Sequence, residues 1–230
     1  MVLERKALSA GLRAALPVLL GIVPFGVITG VAMVASGMPP FEAMVASVIV
    51  FAGASMMACA QLLSQGTPAL LIILATLFIN LRFMMYSASL RLHLVHLPLR
   101  WRLLVAYLQA DNVYGLTLAR FSEKSFSLEE KLGYFLGAGV PIWLAWQAAV
   151  LGGVVIGAGV PASWRLEFAG PLAFIAMTIP LLRDRAMVGA ALAAGLVVIA
   201  TAALPLRLNV MIAAVVGIAV GLTMERRRVV

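Results

Sequence analysis

Long runs of apolar residues, separated by short charged segments, make up most of the chain. Eight such blocks lie at about 12–36, 41–64, 68–90, 103–119, 131–159, 167–182, 186–204 and 208–224. The blocks are continuously apolar and do not alternate with polar residues, which argues against membrane β-strands. Backbone groups inside lipid must be paired within their own segment, so each block is predicted to be helical. The pattern therefore predicts an all-α, polytopic transmembrane bundle of about seven to eight segments, with 1–230 as one integral membrane domain.

Composition supports a chain solvated largely by lipid. Hydrophobic residues make up 63% of the 230 residues and charged residues only 11%, which is too few charges for a water-exposed surface. The formal net charge of +8 comes from residues between the blocks, so membrane orientation explains it better than nucleic-acid binding. No nucleophile elbow, Walker motif, zinc-protease motif or dinucleotide fingerprint occurs. We therefore predict a protein that is not an enzyme and has no cofactor.

Basic residues at both ends predict the orientation. They lie at 5–13, before the first block, and at 226–228, after the last, which predicts that both termini are on the cytoplasmic side of a cell inner membrane. Eight crossings satisfy this prediction but place Arg91, Arg100 and Arg102 outside, against the positive-inside rule. Either this segment lies flat at the interface or a neighbouring block is re-entrant.

A weak internal repeat is visible. Pro141 follows Pro24, and Phe168-Ala169-Gly170 follows Phe51-Ala52-Gly53, by the same 117 positions. This predicts repeat halves 12–119 and 131–224, an arrangement that many transporters use to place a site between two halves. Few other positions match at this spacing, so coincidence is the alternative.

Glycines four residues apart occur in several blocks. Such glycines share one helix face and let a second helix approach closely. We expect packing within the chain, with an interface to a partner as the alternative. The pairs are Gly26/Gly30, Gly133/Gly137, Gly153/Gly157 and Gly217/Gly221.

The segment Ser127-Leu-Glu-Glu130 has the pattern of a capping box. In this motif the serine hydroxyl binds the amide of Glu130, and the glutamate reaches back to the serine. The pattern predicts a helix start near Leu128.

Prolines inside apolar blocks predict interrupted helices. Each proline lacks a backbone donor and frees a carbonyl one turn earlier, which in lipid is tolerated only where other groups bind that carbonyl. Pro24, with Gly26 beside it, and Pro141 are the best candidates for breaks that hold an amino acid substrate. A simple proline kink is the alternative.

The segment Phe51-Ala-Gly53-Ala-Ser55 places small residues and a hydroxyl inside the second block. Gly53 and Ser55 are predicted to contact substrate. Close helix packing is the alternative.

Ionisable and amide side chains inside apolar blocks are candidates for function. Asn80 and Arg82 end a long apolar run, and Tyr86 lies four residues later on the same helix face. Asp111-Asn112 interrupts the fourth block, where Asp111 is the only acid well inside a block. Charge at membrane depth is costly, so Asp111 is predicted to pair with Arg82 or to carry a proton. Arg82 reaching to the membrane interface is the alternative.

No metal site is predicted. His93 and His96 flank a basic segment, and we interpret them as histidines at the membrane interface. Cys59 is the single cysteine. The 12 methionines raise a soft-metal permease as a minor alternative, but methionine is also a common filler of helix packing.

Several of these motifs, in order, resemble the AzlC family. They are Gly21-Ile-Val-Pro-Phe-Gly26, Phe51-Ala-Gly-Ala-Ser55, Asn80-Leu-Arg82 with Tyr86-Ser-Ala-Ser-Leu90, and Pro180-Leu-Leu-Arg-Asp-Arg185. The resemblance implies the large subunit of an exporter of branched-chain or similar apolar amino acids, driven by an ion gradient. It also implies a small AzlD-type membrane subunit as partner.

The chain departs from the family pattern at polar positions. Met56 stands where the family often has glutamine, Phe83 where it often has histidine, and Asp111-Asn112 where an acidic pair is common. Each change removes a polar or titratable group. Asp111 is left as the main candidate for a proton carrier, and a membrane scaffold without a transport pathway of its own is the alternative function.

Overall fold

A computed structural model describes residues 4–123, 126–159, 184–201 and 208–229. All regular secondary structure in these ranges is helical, which confirms the predicted all-α class. The chain divides into two compact units, Met1–Pro171 and Leu172–Val230. The first unit contains α1 Arg5–Ala35, α2 Pro40–Val50, α3 Gly53–Ser64, α4 Ala69–Asn80, α5 Arg82–Leu94, α6 Leu99–Leu108, α7 Asp111–Glu123 and α8 Leu128–Gly159; the second contains α9 Arg185–Ala200 and α10 Leu208–Val229.

Among the residues that the structure describes, three helical stretches are long and apolar enough to cross a membrane. They are α1, the combined stretch Ala69–Leu94 formed by α4 and α5, and α8. Within the described ranges the remaining apolar helices, Pro40–Val50, Arg185–Ala200 and Ile212–Glu225, are shorter than a bilayer requires. The structure thus shows a membrane protein whose described part is all-helical and contains three candidate spans. The larger number of seven to eight segments stays a prediction.

The two longest helices, α1 and α8, pack along their full lengths as a parallel pair. Near its start α1 places Gly11 against Tyr134 and Ala138, and near its end Gly30 meets Val150. A side chain at Gly30 would overlap the Val150 carbonyl oxygen. Glycine on both helices therefore permits backbone contact. Small residues are expected at such an interface because lipid provides no hydrophobic driving force between helices.

The glycine pairs serve packing within the chain, as predicted. Gly137 faces the backbone of Leu8, and Gly153 faces Val27, in the contact between α1 and α8. In the second unit Gly217 lies against Ala190 and Ala194. These contacts show that the glycines at these positions pack against helices of the same chain.

The predicted helix breaks near Pro24 and Pro141 are wrong. α1 continues through Pro17 and Pro24, and α8 continues through Pro141. A proline removes a single backbone donor, and the long contact between α1 and α8 holds the remaining turns of both helices in register.

The interruptions occur instead at positions without proline. α2 ends before Phe51, whose φ of 39° lies in the left-handed region, and α3 begins at Gly53. α6 ends before Gln109, which is extended, and α7 begins at Asp111. Together α2 and α3 cover residues 40–64, about the length that one span needs. Broken helices are therefore present, at the polar motifs rather than at the prolines.

The capping box is confirmed. The Ser127 amide donates to Glu130 Oε2 at 2.6 Å, and the Glu130 amide donates to Ser127 Oγ at 3.2 Å. α8 begins at Leu128, as the motif predicts.

The second unit consists of α9 packed on α10 within its described ranges. Asp184 caps α9 by accepting from the Met187 amide at 2.8 Å. Phe168–Gly170 and Pro180 lie outside the described residues, so the repeat with halves 12–119 and 131–224 stays a prediction.

Candidate functional site

Backbone carbonyls at the break between α2 and α3 accept hydrogen bonds from side chains of α6, α8 and α3 itself. The Val48 carbonyl accepts from the Tyr107 hydroxyl at 2.8 Å, and the Ser47 carbonyl accepts from Gln147 Nε2 at 3.2 Å. The Ala52 carbonyl accepts from Ser55 Oγ at 2.9 Å. Backbone amides also bind the Ser47 and Ala52 carbonyls, whereas the Val48 carbonyl is bound by the Tyr107 hydroxyl. An unpaired carbonyl in lipid costs several kcal/mol, so Tyr107 stabilises the break.

A buried polar network extends from this break to α8. Ser47 Oγ donates to Gln147 Oε1 at 2.9 Å and accepts from Trp146 Nε1 at 3.1 Å. Ser47 is fully buried. Trp143 Nε1 donates to the Tyr107 hydroxyl at 2.9 Å. α8 thus contributes two tryptophans and one amide that fix the broken helix in place.

The residues predicted to bind substrate separate into two groups. Gly26 and Gly53 both lie against Trp146, and a side chain at Gly53 would collide with the Phe25 ring. Ser55 is fully buried in the first turn of α3. These three residues converge on the α2–α3 break.

The two predicted prolines do not join that group. Pro24 is exposed on α1. Pro141 is half-buried and precedes Trp146 by five residues, which places it on a different face of α8.

The predicted ion pair is present. Arg82 Nη2 lies 3.0 Å from Asp111 Oδ2, and the Tyr86 hydroxyl donates to Asp111 Oδ1 at 2.8 Å. The Tyr86 ring stacks on Tyr114 with ring centroids 4.2 Å apart. Asp111 is the first residue of α7, where the helix dipole favours a negative charge.

This ion pair is accessible from outside the chain. The Arg82 side chain is 25% exposed and that of Asp111 is 37% exposed. Asn80 is half-buried, and its Oδ1 atom has no hydrogen-bond partner among the described residues. Asn112 is exposed. The structure therefore brings Arg82, Tyr86 and Asp111 together and leaves the two asparagines outside the cluster.

The two helix breaks lie close together. Tyr107, two residues before Gln109 at the α6–α7 break, binds the Val48 carbonyl near the α2–α3 break and has its ring centroid 6.4 Å from that of Phe51. Gln109 is buried, accepts from Ser87 at 3.4 Å and donates to the Phe83 carbonyl at 3.4 Å. The helix interruptions, the aromatic residues and the ion pair thus form one continuous region of the first unit.

Comparison with known proteins identifies the family. The model of the family described as "AzlC protein" matches residues 17–160. This match covers more than half of the chain, including both helix breaks and the ion pair.

The chain belongs to the AzlC family.

The AzlC-family chain is also similar to two curated proteins. It is 29% identical over 194 residues to an "Uncharacterized membrane protein" of Archaeoglobus fulgidus, covering 83% of this chain and 82% of that protein. It is 23% identical over 150 residues to the "Inner membrane protein YgaZ" of Escherichia coli, covering 65% of this chain and 60% of that protein. No solved structure matches.

Sequence reasoning missed four residues of this AzlC-family site. They bind carbonyls at the α2–α3 break or one another: Ser47, Tyr107, Trp143 and Gln147. Gln147 did carry a signal, because it is an isolated amide within the block at 131–159. Their partners could not be assigned from the sequence because Gln147 and Ser47 are 100 residues apart.

Proposed function

We propose that this chain is the large subunit of a secondary exporter of branched-chain or similar apolar amino acids. The observation that supports it most is the meeting of two helix breaks beside the Arg82–Asp111 ion pair. Broken membrane helices offer backbone N–H and C=O groups to the charged ends of a substrate. Family membership supports a role in membrane transport.

The proposed substrate site is the α2–α3 break. The N-terminus of α3, at Gly53 to Ser55, has amides that lack helical partners and suits a carboxylate. The carbonyls at the end of α2 suit an ammonium group. Phe25 and Trp146, with ring centroids 5.8 Å apart, give an apolar wall for an aliphatic side chain.

The proposed coupling group is Asp111. Its carboxylate forms an ion pair with Arg82 and accepts a hydrogen bond from the Tyr86 hydroxyl. A proton that neutralises Asp111 would remove its attraction to Arg82, and that change is the switch that couples proton movement to α5 and α7. The partial exposure of both side chains gives the proton a way in.

The proposal includes a small AzlD-type membrane subunit and a location in the cell inner membrane with cytoplasmic termini. The α4–α5 stretch supports a large contact with lipid or with such a subunit, since none of its most apolar window is buried inside the chain.

The test is counterflow in proteoliposomes that contain the chain and the small subunit. Vesicles loaded with unlabelled leucine should accumulate labelled leucine or valine from outside, and vesicles that lack the chain should not. Absence of flux for every amino acid, with both subunits present, would overturn the proposal and favour a scaffold role.

A further inference from the structure

A separate cavity of about 210 Å³ lies between α5 and α6. It extends from the arginine-rich end of these helices towards the α6–α7 break. Its α5 wall includes Ser87, Arg91 and Leu94, and its α6 wall includes Arg102, Val105 and Gln109. The spacing of three and four residues on each helix places each set on a single face.

The cavity has a cationic rim. Arg91 and Arg102 are exposed, and no carboxylate of the described residues lies within ion-pair distance of either. Two guanidinium groups with free donors at the mouth of a cavity suit a carboxylate, which arginine binds with two parallel hydrogen bonds.

The interior is aliphatic and ends on a polar floor. Leu90, Leu94 and Val105 line the walls. Gln109 is 4% exposed, and both of its hydrogen bonds are long, at 3.4 Å. A buried amide with two weak partners gains by exchanging one of them for a closer polar group.

We propose that this cavity binds a small aliphatic carboxylate, with its charged end between Arg91 and Arg102 and its hydrocarbon part against the leucine and valine walls. The inference rests on the proposed function in naming that ligand as the transported amino acid. The cavity is then a vestibule through which the substrate passes between the interface and the helix breaks, since Gln109 directly follows the last residue of α6.

Binding to the purified full-length chain in lipid nanodiscs tests the carboxylate requirement. Three probes share the aliphatic side chain of leucine: leucine itself, 4-methylpentanoate, which lacks the amine, and 3-methylbutylamine, which lacks the carboxylate. We expect 4-methylpentanoate to displace labelled leucine and 3-methylbutylamine to fail. Equal displacement by the amine would overturn the proposal.

Charge removal tests the two arginines. Arg91→Gln combined with Arg102→Gln should weaken leucine binding about tenfold or more, as expected for loss of charge-assisted hydrogen bonds. Arg100→Gln is the matched control, because Arg100 is exposed in the same segment but does not line the cavity. Unchanged leucine affinity in the double variant would overturn the proposal.

Filling the cavity provides an independent test that leaves the charges in place. Ala106→Trp, at an exposed position that lines the cavity, should weaken leucine binding. Leu103→Trp on the exposed surface of α6, outside the cavity, should not. Equal affinities for the two variants would exclude the cavity as the site.

Native mass spectrometry separates a substrate from a lipid. Phosphatidylglycerol that is retained by the wild type and lost from the double variant, with leucine affinity unchanged, would assign the arginines to a lipid headgroup and overturn the proposal. If the cavity variants lose leucine binding, the vestibule predicts slower counterflow at low leucine concentration. Unchanged counterflow at that concentration overturns the vestibule. Intact carboxylate binding without counterflow in the wild type contradicts the proposed function alone.

Discussion

Within the same unit, the α1–α8 pair and the two broken stretches, α2–α3 and α6–α7, differ in whether the helix continues. α1 and α8 contain three internal prolines and remain continuous, whereas α2–α3 and α6–α7 are interrupted without any proline at the break. The long helices are stabilised by backbone contact at glycines. At the α2–α3 break, hydroxyl and amide groups bind backbone carbonyls, and indole N–H groups donate to neighbouring hydroxyls. The comparison teaches that a proline alone does not break a helix, and that the α2–α3 break lies where side-chain donors reach its carbonyls.

The largest expected effect is on the glycine contact. Gly153→Leu should prevent recovery of folded protein, because even a methyl group at Gly153 would overlap the Val27 carbonyl oxygen and overpacking forces backbones apart. The matched control is Gly152→Leu, since Gly152 has open space around it. Size-exclusion chromatography in detergent gives the measurement. A monodisperse Gly153→Leu protein would show that the contact between α1 and α8 is not close-packed.

Removing the charge of Asp111 should abolish coupling while leaving the fold intact. We expect Asp111→Asn to lower proton-driven leucine flux at least about tenfold, the scale of losing a proton-transfer group, and to keep counterflow. Asn112→Ala, at the exposed neighbouring position, should behave as the wild type. Flux in proteoliposomes under an imposed pH gradient is the measurement. Full proton-driven flux in Asp111→Asn would remove Asp111 from the mechanism.

The donors at the α2–α3 break should matter for stability. Gln147→Leu removes the acceptor of the Ser47 hydroxyl and one of the donors to the Ser47 carbonyl, and leaving a buried hydroxyl donor unpaired costs about 1–3 kcal/mol. Thermal unfolding in detergent should show a clear decrease in midpoint. Gln61→Leu, at an exposed position on α3, is the control and should change the midpoint little. Equal midpoints for the two variants would show that the break does not depend on this amide.

The Tyr107 hydroxyl is expected to contribute less. Tyr107→Phe keeps the ring against Phe51 but removes the donor to the Val48 carbonyl and the acceptor for Trp143. The Tyr107 side chain is exposed, so lipid headgroups or water replace part of the lost hydrogen bonding. We therefore expect the free energy of unfolding to fall by about 1 kcal/mol. Denaturant-induced unfolding measures this change in the free energy of unfolding. A loss as large as that of Gln147→Leu would place Tyr107 at the centre of the break.

The smallest expected effect is at the start of α8. Ser127→Ala removes the hydroxyl that accepts from the Glu130 amide and should lower the unfolding midpoint by about 2 °C. Ser122→Ala, which removes an exposed hydroxyl bound only to the preceding turn of α7, is the control. A shift confined to Ser127→Ala would confirm that the cap, and not serine content, stabilises this helix start.

Local sequence patterns predicted much of the architecture. The continuous apolar blocks predicted helices, the capping box predicted the start of α8 at Leu128, and the glycine pairs predicted packing within the chain. The predicted contact between Arg82 and Asp111 is also present. Each of these predictions depends on spacing along one helix or on the high cost of an isolated charge in lipid.

The positions of the breaks could not be predicted in the same way. A proline marks the loss of one hydrogen bond, but whether the helix stops depends on what surrounds it. Phe51 and Gln109 carry no helix-breaking signal in the sequence, yet the chain is interrupted at both positions. Near Phe51, side chains of Tyr107, Gln147 and Ser55 bind backbone carbonyls.

By itself the sequence determined the membrane environment, the helical class, the family resemblance and the polar residues that needed an explanation, because these follow from composition and short-range periodicity. Only the tertiary structure decided which helices run parallel, where two of them break and which side chains bind the exposed backbone. Those outcomes depend on contacts between residues 100 or more positions apart, and no spacing along a single helix encodes such a contact.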